Sequence, residues 1–98
     1  MILLSERETT EGLLVAACDA DLLGETFEDG EISLTVTEEF YGGDEVDPAA
    51  AVAAVRRADV ANLVGIETVG AAVDAGVVDE TTVLEVEDTL HAQVLRLG

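Results

Sequence analysis

The sequence predicts an α+β domain: a mainly antiparallel sheet with two helices packed on one face. Three observations lead there. Short apolar runs and period-two alternation mark strands toward both ends of the chain. Two segments between them carry helix start and stop signals. The resulting order, βββααββ, keeps strands and helices apart instead of alternating them. Ninety-eight residues suffice for one hydrophobic core, so residues 1–98 are expected to form a single compact domain.

The elements follow in order. "MILLSER" and "LLVAACD" read as strands joined in hairpin fashion through the polar residues 8–12. "DADLLGETFEDG" is an irregular connection ending in the Asp29-Gly30 turn signal. In "EISLTVT", Ile32, Leu34 and Val36 alternate with polar residues and predict one buried face. Asp47 suits an N-cap and Pro48 the first helical position, where its missing N–H costs nothing. Val52 and Val55 mark the buried stripe of that helix, and Arg56 and Arg57 complement the dipole in its last turn. A second helix is expected over residues 66–75, with Val69, Ala72 and Val73 inward and Gly76 as its stop. "TVLEVE" alternates again, and "HAQVLRL" closes the sheet.

Charge sets the environment. Twenty-two acidic residues oppose four basic ones, Arg7, Arg56, Arg57 and Arg96, and lysine is absent. A net charge of -18 on so short a chain repels itself in dilute buffer. At ~1 M salt the Debye length falls to ~3 Å and the same surface becomes tolerable. With 49% hydrophobic residues the chain is no disordered acidic tail. The composition is that of a cytoplasmic protein of a salt-in haloarchaeon. In that setting acidity is shared by the whole proteome and does not by itself exclude nucleic acid, so the rare arginines carry the information. A single cysteine, Cys18, excludes an intrachain disulfide and a multi-cysteine zinc site. The apolar start "MILL" is too short for a secretory leader, and no run approaches the ~18 apolar residues of a membrane span.

Four stretches in register, "AACDADLLGETFEDGEISLTV", "FYGG", "ANLVG" and "HAQVLRL", resemble the archaeal family catalogued as domain of unknown function 424. The resemblance runs over essentially the whole chain. It implies an archaeal single-domain protein and brings no activity with it. In the family's pattern a lysine commonly follows the "LLG" element, where this chain has Glu25. Halophilic exchange of an exposed lysine accounts for the difference, and any anion contact of that lysine is lost or replaced here.

Several motifs invite chemistry. "GGDE" at 42–45 is similar to the opening of a diguanylate cyclase motif, but such a domain needs a longer chain and separate nucleotide and metal residues. Asp19-x-Asp21 starts like a calcium loop, yet Leu23 and Gly30 occupy its fifth and twelfth positions. The carboxylates Glu38, Glu39, Asp44, Glu45 and Asp47 read as a solvated face, so no metal and no cofactor is expected. Cys18 and His91, each the only residue of its type, could form a nucleophile pair if their side chains came within ~3 Å. The plainer expectation makes Cys18 a small core residue and lets His91, which alternation places beside Gln93, Leu95 and Leu97, bond a backbone carbonyl.

Phe40 and Tyr41 are expected to end the third strand, one inward and one outward, before Gly42 and Gly43 turn the chain through dihedrals closed to other residues. The outward aromatic could stack a base or pack on a protein. Asn62 is expected to tie down the turn between the helices. Phe40, Tyr41, Gly42, Gly43, Asn62, His91, Gln93 and Arg96 form the candidate binding set, with alternation sending Arg96 to the face opposite His91 and Gln93. The expected function is a non-enzymatic binding module in translation or RNA-related housekeeping, its partner RNA or a ribosome-associated protein. A small enzyme using Cys18 and His91 is the alternative, and a structural subunit or homodimer the third reading.

Overall fold

The computed structural model describes residues 1–96. Along the chain run β1 (Ile2–Thr9), β2 (Gly12–Asp19), a 3-10 turn (Ala20–Leu22), β3 (Thr26–Asp29), β4 (Ile32–Thr35), the one-turn α1 (Glu38–Tyr41) and β5 (Asp44–Val46). There follow α2 (Pro48–Arg57), β6 (Val60–Val64), α3 (Ile66–Asp74), a second 3-10 turn (Glu80–Thr82), β7 (Leu84–Val86) and β8 (Thr89–Leu95). Six strands make one sheet in the order β5-β1-β2-β6-β8-β7, and β3 and β4 form a separate hairpin. Every neighbouring pair in the sheet is antiparallel except β2 with β6. The α+β class, the antiparallel bias and the two helices on one face therefore stand.

The pairings make β5, β6 and β7 run in one direction. Helix α2 crosses over β1 and β2 between the first two, and α3 crosses over β8 between the last two. These crossovers put both helices on the same side. There Val15, Ala17, Ala61, Leu63 and Ala92 of the sheet meet Ala54, Val55, Val69 and Ala72 of the helices. Asp47 caps α2 by accepting from the Ala50 N–H at 2.8 Å, and Pro48 opens it. The other face holds a second, smaller core: Ala16, Cys18, Val64 and Val86 under Phe27 of the hairpin, Val36 just after it and Tyr41 of α1.

Four elements depart from the reading of the sequence. β3, β5 and β6 add to the five strands expected, and "EEFY" is a turn of helix instead of a strand end. Thr37 caps that turn, accepting from the Phe40 N–H at 3.3 Å. Asn62 is not in a turn: it lies in β6, a central strand, between Ala16 of β2 and Gln93 of β8. Only the end of the "EISLTVT" stripe is buried, since Ile32 is 45% exposed on the free hairpin while Val36 is in the core. The expected position of Leu97 lies outside the described residues.

Glycine is required at Gly42 and Gly43 for room and not for unusual dihedrals. Gly42 has φ -66 and ψ 131, and Gly43 is not among the residues of positive φ. A Cβ on Gly43 would come 2.0 Å from the Leu4 carbonyl oxygen. The chain passes hard against β1 here in order to add β5 to its edge.

Candidate functional site

The register across the sheet decides which candidates meet. Cys18 pairs with Val64, and Val64 pairs with His91, so all three lie in one row on the face away from α2 and α3. Paired residues share a face, but Val64 stands between the other two. Two inter-strand steps separate their backbones by about 10 Å. Cys18 is fully buried. Burial, and secondarily the charges of Asp19 and Asp21, push its thiol up to about 11. The His91 ring is held through Nδ1 at 3.0 Å from the Leu63 carbonyl oxygen. A thiol kept protonated and a ring tied to its own backbone two strands away do not form a nucleophile and base.

Tyr41 is the inward aromatic. Its burial, with Cys18 as the lesser cause, pushes the phenol up to about 12. Phe40 is half-buried beside it, edge to face with the centroids 4.9 Å apart, and the Arg7 guanidinium lies 5.7 Å from the Phe40 centroid.

The arginines are all engaged by the protein itself. Arg7 donates to the Glu39 carbonyl oxygen and Arg57 to the Glu6 carboxylate at 2.7 Å. Arg56 donates to the Ala75 carbonyl oxygen past the end of α3. Arg96 turns to the helix side, as alternation requires. Its Nη1 lies 2.9, 2.9 and 2.7 Å from the carbonyl oxygens of Val55, Arg56 and Ala58, satisfying the open end of α2.

One row beyond Cys18 and His91, the same face carries Ser5, Ala16, Asn62 and Gln93 side by side, and the next carries Arg7, Leu14, Val60 and Leu95. The hairpin and α1 cover Ala16 but leave Asn62 half-buried and Gln93 exposed. Leu95 is 63% exposed and Leu84, beside His91, 49%. Alternation has a further consequence. Glu6, Glu8, Asp19 and Glu85 all point to the helix side, as their partners Val15, Leu13, Ile2 and Leu90 do. Strands β1, β2, β6, β7 and β8 thus present no carboxylate on the open side, in a chain with 22 acidic residues. Of the candidate binding set, Asn62, His91 and Gln93 come together here with Phe40 at the flank. Tyr41 lies beneath, Gly42 and Gly43 only shape the chain, and Arg96 is on the other side.

Sequence reasoning missed two aspartates that fix the parallel pair at its ends. The Asp59 carboxylate accepts from the Leu13 N–H at 2.8 Å and fills the space left by Gly12. The Asp19 carboxylate accepts from the Glu67 and Thr68 N–H groups and from the Thr68 hydroxyl, capping α3 against Gly65. Gly65 precedes α3 and Gly12 opens β2, but the carboxylate that serves each comes from a distant segment and leaves no local signal.

This is a small α+β domain whose mixed sheet is roofed by helices on one side and half-open on the other, with no assembled catalytic group among the described residues. The chain belongs to the family described as "Protein of unknown function (DUF424)", whose model matches residues 6–97. It is similar to the crystal structure of an uncharacterized conserved protein from Methanopyrus kandleri, with 29% identity and a TM-score of 0.79. That likeness covers 99% of this chain and 94% of the other. No curated protein matches it. Among the described residues no helix is long and apolar enough to cross a membrane.

Proposed function

We propose that the protein is a non-catalytic, cytoplasmic binding module that docks a partner protein on the open half of its sheet. The supporting observation is the absence of carboxylates from the positions of β1, β2, β6, β7 and β8 on that face, Glu45 of the edge strand β5 being the sheet's one carboxylate on that side. A surface meant only for solvent in such an acidic chain would carry them there too. This one offers amides, an imidazole and aliphatic groups, the mixture that a protein contact can desolvate at modest cost. Charge complementarity gives the partner a basic rim around a neutral centre, because the surroundings are acidic. RNA is the less suitable occupant. Its phosphates need free cations, and all four arginines are held by the protein's own carbonyls, a carboxylate and an aromatic ring. Proteins of the translation apparatus that present a local basic patch to RNA are the class to examine first. The open area is about three strand spacings by six residues, on the order of 300 Å², which suits a transient contact.

The test is retention from a lysate of the source organism in molar potassium chloride, with and without ribonuclease, by the wild type and by Leu95→Asp. The retained protein is then purified and its binary affinity measured. A basic protein held after ribonuclease, with affinity lowered about tenfold or more by Leu95→Asp, is expected. Retention that ribonuclease abolishes, or equal binding by the variant, overturns the reading.

A further inference from the structure

On the opposite side of the sheet a cleft of about 350 Å³ opens between α3, the second 3-10 turn and strands β7 and β8. Its apolar lining is Val69, Val73, Val83 and Leu90, all buried or half-buried. Three exposed carboxylates, Asp74, Glu80 and Glu85, border it, and neither ion pair among the described residues uses them. The last lining residue is Gly70, in the interior of α3. Glycine there is less favourable to the helix than alanine. Gly70 is not among the positive-φ residues, and a Cβ added to it would meet nothing within 4 Å. Neither backbone geometry nor packing asks for glycine at this position. What the missing side chain preserves is the open volume of the cleft.

We infer that this cleft receives a lysine or arginine side chain of a partner protein, the aliphatic stem on the valines and Leu90 and the cationic head among Asp74, Glu80 and Glu85. An apolar channel ending in carboxylates matches a side chain that buries its methylenes and keeps its charge at the rim. A compact divalent ion fits poorly, since no group of three or more Asp, Glu, His or Cys among the described residues converges as a metal cage. This chain cannot fill the cleft itself: it has no lysine, and each arginine is bonded elsewhere. The open mouth admits a side chain still attached to its backbone. The assignment does not rest on the docking face, which lies across the sheet.

The experiment is an amide chemical-shift titration in the lowest potassium chloride concentration that keeps the fold. The probes are agmatine, the peptide acetyl-Ala-Arg-Ala-amide, butanol and magnesium chloride. Agmatine and the peptide are expected to shift Val69, Gly70, Val73, Val83 and Leu90 with similar affinity, and butanol far less. Glu80→Gln with Glu85→Gln is expected to weaken the peptide about tenfold, the size of one charge-assisted contact. Gly70→Leu is expected to fill the cleft and abolish the shifts while thermal stability is retained. Binding of agmatine without the peptide, equal shifts with butanol, magnesium acting at the same residues, or shifts spread over the whole acidic surface would each overturn the assignment.

Discussion

Replacing Asp19 tests how the open sheet is held to its helices. Its carboxylate accepts three hydrogen bonds: 3.1 Å from the Glu67 N–H, 2.8 Å from the Thr68 N–H and 2.7 Å from the Thr68 hydroxyl. Asp19→Ala removes a cap to α3, a loss of ~1 kcal/mol. It also leaves the Thr68 hydroxyl, on a residue 3% exposed, without an acceptor. An unsatisfied buried hydroxyl costs about 1–3 kcal/mol more. The total of roughly 2–4 kcal/mol corresponds to a drop in Tm of about 8–30 °C for a domain of this size. Asp19→Asn keeps one acceptor oxygen but turns an amide donor toward the Glu67 N–H, so an intermediate loss is expected. Thermal unfolding of the three proteins at one molar salt concentration measures this. A Tm for Asp19→Ala within about 3 °C of wild type, under ~1 kcal/mol, would refute the argument that this carboxylate joins β2 to α3. So would equal losses for both variants.

Three further outcomes are expected. Burial raises the pKa of Cys18 to about 11 and that of Tyr41 to about 12, so both groups favour the folded state while protonated. Stability from the thiol is complete below its unfolded value near 9 and is lost as pH rises through about 11. Alkaline titration of unfolding should show that loss, and Cys18→Ala should flatten it; an unchanged profile contradicts the buried thiol. Gly43→Ala drives a methyl into the Leu4 carbonyl and should cost about 1–3 kcal/mol, with amide exchange in β5 accelerating first. Unaltered protection of β5 would argue against this close passage. Finally, circular dichroism should show structure lost as salt falls from molar toward millimolar, because screening of the -18 charge is withdrawn. A constant spectrum would remove the halophilic explanation of the composition.

What could be read from the sequence was what local chemistry writes. Asp47-Pro48 announced α2, Gly76 with φ 75 ended α3, and alternation marked β7 and β8. β6 was not legible, because "VANLV" is short, apolar on both faces and interrupted by Asn62, which taken alone suggests a turn. Its identity as a strand comes from its pairing with β2, far back along the chain. Thr37 followed by two glutamates could have revealed α1 as a capped, acidic first turn, but the aromatic and β-branched neighbours favoured a strand. The pairing of His91 with Gln93 on one face followed from period two. That Asn62 joins them, and that Cys18 and His91 share a row without touching, depends on register, which no single strand encodes.

The open half of the sheet around Asn62, His91, Gln93 and Leu95, where no strand residue is a carboxylate, is the proposed protein contact. A photo-crosslinking residue at Gln93, compared with one at the exposed Ala53 of α2, tests this most directly in cells of the source organism. The expected result is one basic protein attached through position 93 and not through position 53, with the purified partner giving the same adduct in vitro. Equal labelling from both positions, or attachment of RNA alone at position 93, would contradict it.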